Sequence, residues 1–127
     1  MKLNNECIRD LLLYLEENCS YKNDITLNEL KLEKYTTEEI VYTGEKLYEA
    51  GYLNCLKSKS LYEEMPIIVV MSLTYEGHRF IDNIRDDKVW GKTKGILSKV
   101  KSASLDIICN VAAQVITNII KDNMGNP

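Results

Sequence analysis

His78 is the only histidine of the chain, and it lies in a charged, helix-like segment, LTYEGHRFIDNIRDDKVW (73–90). A catalytic histidine needs a nucleophile or a carboxylate arranged around it, and the neighbouring sequence offers Glu76 and Asp82. A lone histidine with no further partner is weak evidence of an active site. We therefore predict that Gly77 lets a strand meet a helix and that His78 lies on the exposed or half-exposed side of that helix.

Two features that follow in the sequence could also suggest a ligand site. Trp90 is the only tryptophan, and its large area suits packing of the next helix onto the preceding domain better than stacking on a ligand. The string GKTKG (91–95) lacks both the G-x-x-x-x-G-K-[ST] spacing of a phosphate-binding loop and a preceding strand. We predict a non-enzymatic protein with no catalytic residues and no cofactor.

The cysteines form no C-x-x-C pair and lie far apart in the sequence, at Cys7, Cys19, Cys55 and Cys109. With one histidine in the chain, a zinc site would have to assemble from scattered ligands. We therefore predict no metal site, and free, mostly buried thiols in a reducing compartment.

The composition is that of one ordinary globular domain, with 127 residues, 45% of them hydrophobic and 28% charged. The first residues contain no uninterrupted apolar run of the kind found in signal peptides. The most apolar stretch (105–120) is interrupted by polar residues and is shorter than the roughly 20 residues that a bilayer span needs. We predict a cytoplasmic protein that does not bind membranes.

Charge is distributed unevenly along the chain. Residues 1–51 hold 6 Lys/Arg and 11 Asp/Glu, residues 52–101 hold 9 and 6, and residues 102–127 hold 1 and 2. The net charge of −3 argues against indiscriminate nucleic-acid binding, whereas the positive middle segment leaves room for a local basic patch.

Apolar periodicity and capping residues predict an order of helices and strands. The predicted elements are a helix from Asn4 or Asn5, a very short strand (25–27), a brief helix from Asn28, a helix from Thr36 or Thr37 to Gly51, strands at 52–58 and 66–73, and helices at 74–84, 86–100 and 104–121. This is the layout of a winged helix-turn-helix domain, in which the two long strands form the wing and TTEEIVYTGEKLYEAG (36–51) takes the recognition position. We predict an α+β, mainly helical fold with a winged-helix domain at residues 1–84 and a C-terminal helical extension at 85–127, which packs on it to form one compact unit.

Three strings carry a family resemblance: MKLNNECIRDLLLYLEEN (1–18), LYEAGYL (47–53) and LTYEGHRFIDNIRDDKVWGKTK (73–94). Together they resemble a family of phage and prophage proteins, domain of unknown function 2513, and the resemblance extends over most of the chain. It implies a winged-helix fold and a mobile-element context, and it implies no catalytic residues. Fold signatures of this kind carry no direct evidence of DNA reading.

A winged helix most often binds double-stranded DNA, so we predict a DNA-binding accessory or regulatory protein. The recognition helix is unusual because it carries Glu38, Glu39, Glu45 and Glu49 against one lysine. We expect the wing and the later lysine-rich helix to supply most of the phosphate contacts. The predicted nucleic-acid contacts are Thr36, Thr37, Tyr42, Thr43, Lys46, Lys57, Lys59, Lys88, Lys92 and Lys94. A solvated helix face is an equally good interpretation of the last three lysines.

The alternative function is a protein-interaction module that keeps the winged fold without reading DNA, as an inhibitor or adaptor of a host or phage protein. The acidic recognition helix favours this alternative. The last helix has a second apolar stripe beside a 3-4-3-4 seam of the coiled-coil type. We predict that this seam forms a homodimer interface, made by Leu105, Ile108, Ala112, Val115 and Ile119.

Overall fold

The computed structural model describes residues 1–125, and it confirms an α+β chain with five α-helices and one three-stranded antiparallel sheet in that range. The elements in chain order are α1 (Asn5–Asn18), β1 (Ile25–Thr26), a single 3-10 turn (Leu27–Glu29), α2 (Thr37–Glu49), β2 (Leu53–Ser58), β3 (Ile67–Leu73), α3 (Tyr75–Ile84), α4 (Asp87–Leu97) and α5 (Leu105–Met124). The chain divides into two compact units, Met1–Arg79 and the residues from Phe80 onward. The boundary between the units lies inside α3, five residues before the predicted boundary at 84/85.

The helices begin where the sequence places their caps. Asn4 accepts hydrogen bonds from two backbone N–H groups of α1, and the side chains of Thr36, Asp86 and Ser104 each accept one at the start of α2, α4 and α5. These side chains satisfy N–H groups that have no partner within the helix. Gly51 has a φ of 85°, so the chain leaves α2 through the left-handed region that glycine adopts most readily.

The sheet has the order β1-β3-β2, so β3 is central and pairs antiparallel with both neighbours. A register shift between Asn54 and Cys55 interrupts the β2–β3 ladder. The core of the first unit forms where α1, the 3-10 turn, α2 and β3 each contribute buried aliphatic side chains, among them Leu11, Leu15, Leu27, Leu47 and Ile68. Burial of these apolar side chains supplies the main stabilisation of the unit.

The brief helix predicted from Asn28 is wrong beyond its first turn, because only Leu27–Glu29 are helical and no α-helix forms between β1 and α2. The Asn28 side chain explains this, since its Nδ2 donates to the Pro66 carbonyl (3.0 Å) and its Oδ1 accepts from the Ile68 N–H (3.1 Å). These two bonds attach the segment to the start of β3. Burial of Leu30 then holds the chain against the core in place of a second helical turn.

Two glycines permit close contacts between elements of the first unit. A Cβ at Gly44 of α2 would overlap Leu27 Cδ1 of the 3-10 turn. A Cβ at Gly77 of α3 would overlap the Tyr52 carbonyl oxygen, an acceptor that also receives the Thr74 N–H at 3.0 Å. Gly77 therefore lets the start of α3 lie directly against the chain entering β2, as predicted.

The second unit consists of the end of α3 with α4 and α5. The helices α4 and α5 pack against each other, and Asn83 Nδ2 of α3 donates to Cys109 Sγ of α5 at 3.0 Å. Its buried apolar residues are Phe80, Ile81, Ile84, Val89, Trp90, Ile108, Ala112 and Val115. Within residues 1–125, none of the helices is both long enough and apolar enough to cross a membrane.

Candidate functional site

The solvent-facing side of α2 is acidic. Glu38, Tyr42, Glu45 and Glu49 recur at helical spacing on the side opposite the buried residues of this helix, such as Ile40. This stripe, which we call the α2 acidic face, carries three carboxylates and one phenol, of which Glu38 and Glu49 are exposed and Tyr42 and Glu45 are half-buried. Base edges and phosphates are normally met by basic or amide side chains, so this composition is poorly suited to docking in a DNA groove.

The structure places the predicted nucleic-acid contacts of α2 in different environments. The Thr36 hydroxyl oxygen accepts the Glu39 N–H (3.1 Å) and acts as the cap of the helix. Thr37 is half-buried, and the Tyr42 hydroxyl lies 3.4 Å from the Met1 carbonyl oxygen.

Thr43 is the member of the predicted contact set that the fold removes from the surface. Only 2% of the residue is exposed, and its hydroxyl donates to Cys7 Sγ of α1 at 3.5 Å. The prediction that Thr43 contacts DNA is therefore wrong, because this side of α2 packs against α1.

Ion pairs within the first unit engage two of the three lysines predicted on this surface. Lys46 Nζ lies 2.8 Å from Glu49 Oε2 and 5.4 Å from the centre of the Tyr42 ring. Lys57 Nζ of β2 lies 2.7 Å from Glu45 Oε2. The hydrogen bonds with these glutamates raise the pKa of Lys46 and of Lys57, and the bond with Lys46 lowers the pKa of Glu49. The remaining lysine, Lys59, is exposed at the end of β2.

The loop between β2 and β3 is not a basic wing tip. Leu61 and Tyr62 are 98% and 97% exposed at its tip. Glu63 accepts the Ser60 N–H (3.2 Å) within the loop, and Glu64 is exposed beside it. Residues 37–66 as a whole hold six Glu and three Lys, so α2 and the β2–β3 hairpin form a net negative surface.

A groove of about 400 Å³ separates α2 from the β2–β3 hairpin. We call it the α2–hairpin groove. Its apolar and aromatic lining comes from Met1, Val41, Tyr42, Met65 and Pro66, and the charged side chains around it are Glu38, Glu45, Glu64, Lys57 and Lys59. No local sequence pattern predicts this groove or the Asn28 bonds that hold Pro66, since those bonds join residues that are 38 and 40 positions apart.

The histidine lies where the sequence analysis placed it. The His78 side chain is 50% exposed, and its Nδ1 lies 3.3 Å from Glu16 Oε2 of α1. His78 and Cys19 line a separate open pocket of the first unit, together with polar side chains of the loop before β1 and of the sheet.

Trp90 packs rather than presenting a free ring. It is 4% exposed, and Lys94 Nζ lies 5.7 Å from the ring centre. A ligand would have little ring surface to stack upon.

The solvent side of α4 is basic. Lys88, Lys92 and Lys94 are exposed there, and no atom lies within 4 Å of a Cβ placed at Gly91 or Gly95. The two glycines therefore have no packing role inside the chain, and they leave an open strip between the lysine side chains. Asp86 caps this helix, which places acidic charge at its first turn.

The predicted dimer seam on α5 faces inward. Ile108, Ala112 and Val115 are buried within a single chain, and Leu105 and Ile119 are half-buried. Because α4 already packs on α5, the apolar seam has a partner inside the chain. The three buried residues are thus not available to a second chain, which corrects this part of the predicted interface.

All four thiols are free, but only Cys7 is buried and the other three are partly exposed, so the prediction of mostly buried thiols holds for Cys7 alone. Burial raises the pKa of Cys7 and of Cys19, and it raises the pKa of Cys55 to about 12. A raised pKa disfavours the thiolate, which is the form that acts as a nucleophile or metal ligand. Among residues 1–125, no three His, Cys, Asp or Glu side chains are grouped so that they could hold a metal ion.

Comparison with known proteins identifies a family. Residues 2–104 match the family model described as "Hypothetical protein (DUF2513)", so the chain belongs to this family, as the resemblance predicted. An uncharacterized protein of Haemophilus influenzae (strain Rd) is 32% identical over 125 residues, which cover 98% of this chain and 100% of the relative. No solved structure matches the chain. The family model ends before α5, whereas the alignment with the relative spans nearly the whole chain.

Proposed function

We propose that this DUF2513 protein is a non-enzymatic protein-interaction module of winged-helix type that acts on a host or phage protein. The order helix, short strand, helical turn, helix and two-stranded hairpin supports the winged-helix assignment, with the turn Leu27–Glu29 in place of a full second helix. In this assignment α2 is the recognition helix and the β2–β3 hairpin is the wing. The phage context rests on the family resemblance in the sequence.

The observation that carries the proposal is the α2 acidic face. A winged helix that docks on DNA in the ordinary way would present this face to the phosphates, and Glu38 would be repelled by them. Glu45 and Glu49 are offset by Lys57 and Lys46 in ion pairs, so the face keeps a net negative charge and its lysines are engaged within the chain. An acidic surface beside exposed apolar side chains is better suited to a protein partner with basic residues.

Affinity purification with matched bait proteins tests this proposal. The tagged full chain and a variant with Glu38→Gln, Glu45→Gln and Glu49→Gln would each be incubated with a lysate of the native host, and bound proteins identified by mass spectrometry. We expect a partner that binds the unmodified chain and is lost from this variant. A control with Glu17→Gln, Glu29→Gln and Glu33→Gln removes the same charge from exposed positions outside α2 and the hairpin, and it should retain the partner. Retention by both variants would contradict the proposal.

Binding of double-stranded DNA is the second candidate, and the basic side of α4 is the observation that favours it. Lys88, Lys92 and Lys94 could contact phosphates, and the open strip at Gly91 and Gly95 would let a backbone approach the helix closely. On this proposal the protein would bind DNA through its second unit, whatever α2 does.

A fluorescence-anisotropy titration with a random-sequence duplex separates the two candidates. At low salt, DNA binding through α4 predicts saturable binding that weakens steeply as salt is added, and that is lost in a Lys88→Gln, Lys92→Gln, Lys94→Gln variant. The protein-interaction function predicts no saturable binding at either salt concentration. The same duplex with a known DNA-binding protein provides the positive control.

A further inference from the structure

The second unit contains a groove of about 330 Å³ between α4 and α5. We call it the α4–α5 groove. Its apolar lining comes from Ile96 of α4 and from Val115 and Ile119 of α5, and Gly95 contributes backbone without a side chain. Ile96 is 47% exposed, so the groove presents apolar surface to solvent. A groove of this size can hold one or two side chains of a partner, and it is too small for a folded element.

The two walls of this groove differ in charge. Lys92 of α4 and Lys99 of the turn after α4 belong to the first wall, and Asn118 and Asp122 of α5 belong to the second. Among the described residues, the lining thus carries two lysines on one side and one carboxylate on the other. An anionic group would be attracted to the first wall and repelled by the second.

The chain around the first wall reinforces its positive charge. Residues 88–104 hold five Lys and no Asp or Glu. Lys88 lies one turn before Lys92 on the same side of α4, and both are exposed, as is Lys99. Within residues 1–125, neither Lys92 nor Lys99 forms an ion pair, whereas the lysines of α2 and β2 are engaged by glutamates. The first wall therefore keeps its charge for an external partner.

This combination of charge and apolar surface favours a protein segment over other anionic partners. A DNA backbone has phosphates but no side chain to fill the apolar interior, and Asp122 would repel phosphates that lie along the second wall. An anionic membrane takes up apolar residues that protrude, whereas this apolar surface is concave. A protein segment can place one apolar side chain in the groove and its carboxylates on one side only.

We propose that the α4–α5 groove binds an acidic segment of a partner protein, with one apolar side chain between Ile96 and Ile119 and Asp or Glu residues beside Lys92 and Lys99. The inference goes beyond the proposed function, which concerns α2 in the first unit, because it assigns a second protein-binding surface to the second unit. Gly95 keeps this surface open, since no atom lies within 4 Å of a Cβ placed there.

Selection from a random peptide display library on the immobilised full chain tests the inference. We expect enriched peptides to carry an apolar residue with Asp or Glu close to it. A Lys92→Gln, Lys99→Gln variant should bind these peptides roughly fivefold to tenfold more weakly, and added salt should narrow that difference. The control Lys22→Gln, Lys31→Gln removes the same charge from exposed positions of the first unit and should bind like the unmodified chain.

Filling the groove tests its apolar interior without changing any charge. Gly95→Leu places a side chain in the open space of the groove and should weaken peptide binding roughly tenfold at every salt concentration. The fold should be retained, because leucine is a better helix former than glycine. Gly91→Leu is the matched control, since Gly91 has equally open surroundings on the same helix and lies outside the lining. Circular dichroism of each variant verifies that it is folded.

Several outcomes would overturn the inference. Enriched peptides could be basic or neutral, or they could bind the Gly95→Leu variant as well as the unmodified chain. A duplex that binds through Lys92 and Lys99 in the anisotropy titration, with no acidic peptide enriched, would assign these lysines to DNA. Self-association that Gly95→Leu abolishes and Gly91→Leu retains would assign the groove to a second copy of the chain.

The failure of this inference is distinguishable from failure of the proposed function. The bait with Glu38→Gln, Glu45→Gln and Glu49→Gln keeps the α4–α5 groove, so it should retain the acidic peptides while it loses the host partner. Loss of the partner from this bait, with no acidic peptide enriched on the unmodified chain, would retain the proposed function and reject the second surface. Acidic peptides that depend on the groove, with no partner lost from the bait, would do the reverse.

Discussion

Lys57 Nζ of β2 lies 2.7 Å from Glu45 Oε2 of α2, and this ion pair joins the hairpin to the helix. The pair changes the interpretation of the lysines on this surface. Lys57 was predicted as a phosphate contact, and here it offsets a carboxylate of its own chain. Lys46 was also predicted as a phosphate contact, and it likewise offsets Glu49 within α2.

Substitution of two helical glycines should have opposite effects on stability. Gly44→Ala places a methyl group on Leu27 and should lower the free energy of unfolding by about 1–3 kcal/mol, despite the better helix propensity of alanine. Gly95→Ala meets no neighbouring atom and should raise the free energy of unfolding by about 0.5–1 kcal/mol. Urea denaturation monitored by circular dichroism compares them. Equal effects at the two positions would contradict the close contact between α2 and the 3-10 turn.

Gly77 should tolerate substitution even less than Gly44. The atom that a Cβ at Gly77 would meet is the backbone carbonyl oxygen of Tyr52, which cannot rotate away as the end of a leucine side chain can. We expect Gly77→Ala to cost at least about 2 kcal/mol of unfolding free energy. Gly91→Ala provides the control, because no atom lies near its Cβ position. If the thermal melts of Gly77→Ala and Gly91→Ala coincide, the close contact between Gly77 and the Tyr52 carbonyl oxygen is disproved.

Asn28 should be a stabilising residue, although it lies in a loop-like segment. Asn28→Ala loses both bonds to the start of β3 and should cost about 1–3 kcal/mol. Asn28→Asp can still accept the Ile68 N–H, but it sets a carboxylate oxygen against the Pro66 carbonyl oxygen, where neither atom can donate, so we expect a loss of stability at least as large as that of Asn28→Ala. Urea denaturation ranks the variants, with Asn110→Ala at an exposed position of α5 as the control. If Asn28→Ala is as stable as this control, the two bonds of Asn28 do not stabilise the fold.

Stability should fall at alkaline pH because several acidic groups are kept protonated in the folded chain. Burial raises the pKa of Cys55 to about 12 from an ordinary value of 9.0, and it raises the pKa of Tyr35, whose hydroxyl also donates to Asp10 at 2.7 Å. The unfolded chain ionises its Cys55 above pH 9 while the folded chain does not. The contribution of this group is therefore complete below pH 9 and is lost as the pH rises from 9 towards 12.

Urea midpoints at pH 8 and pH 10.5 measure this fall in stability. Cys55→Ala should show a smaller decrease between the two pH values than the unmodified chain, even if it is less stable at both. Lys22→Gln, which leaves the thiols and Tyr35 in place, should show the full decrease. A pH-independent midpoint in the unmodified chain would contradict the protected state of the thiol.

The amino-acid sequence by itself determined the α-helices and strands of this protein, apart from the helix that was wrongly predicted from Asn28, because their signals are local. Caps such as Asn4, Thr36 and Ser104 lie within three residues of the groups that they bind, and Gly51 ends α2 through its own backbone conformation. The apolar spacing of α1 likewise identified the side that is buried. Family membership also followed from contiguous strings, and the match over residues 2–104 confirms it.

Only the tertiary structure decided which predicted surface residues remain at the surface. The polar Thr43 and the apolar α5 seam could each contact either another molecule or another part of the same chain. In the fold α2 packs on α1 and α4 packs on α5, so both are buried within the chain. The partners of Asn28 and Lys57 lie far away in the sequence, so no local pattern could predict them. Capping and periodicity act within a few residues, whereas burial and charge pairing depend on which distant elements the fold brings together.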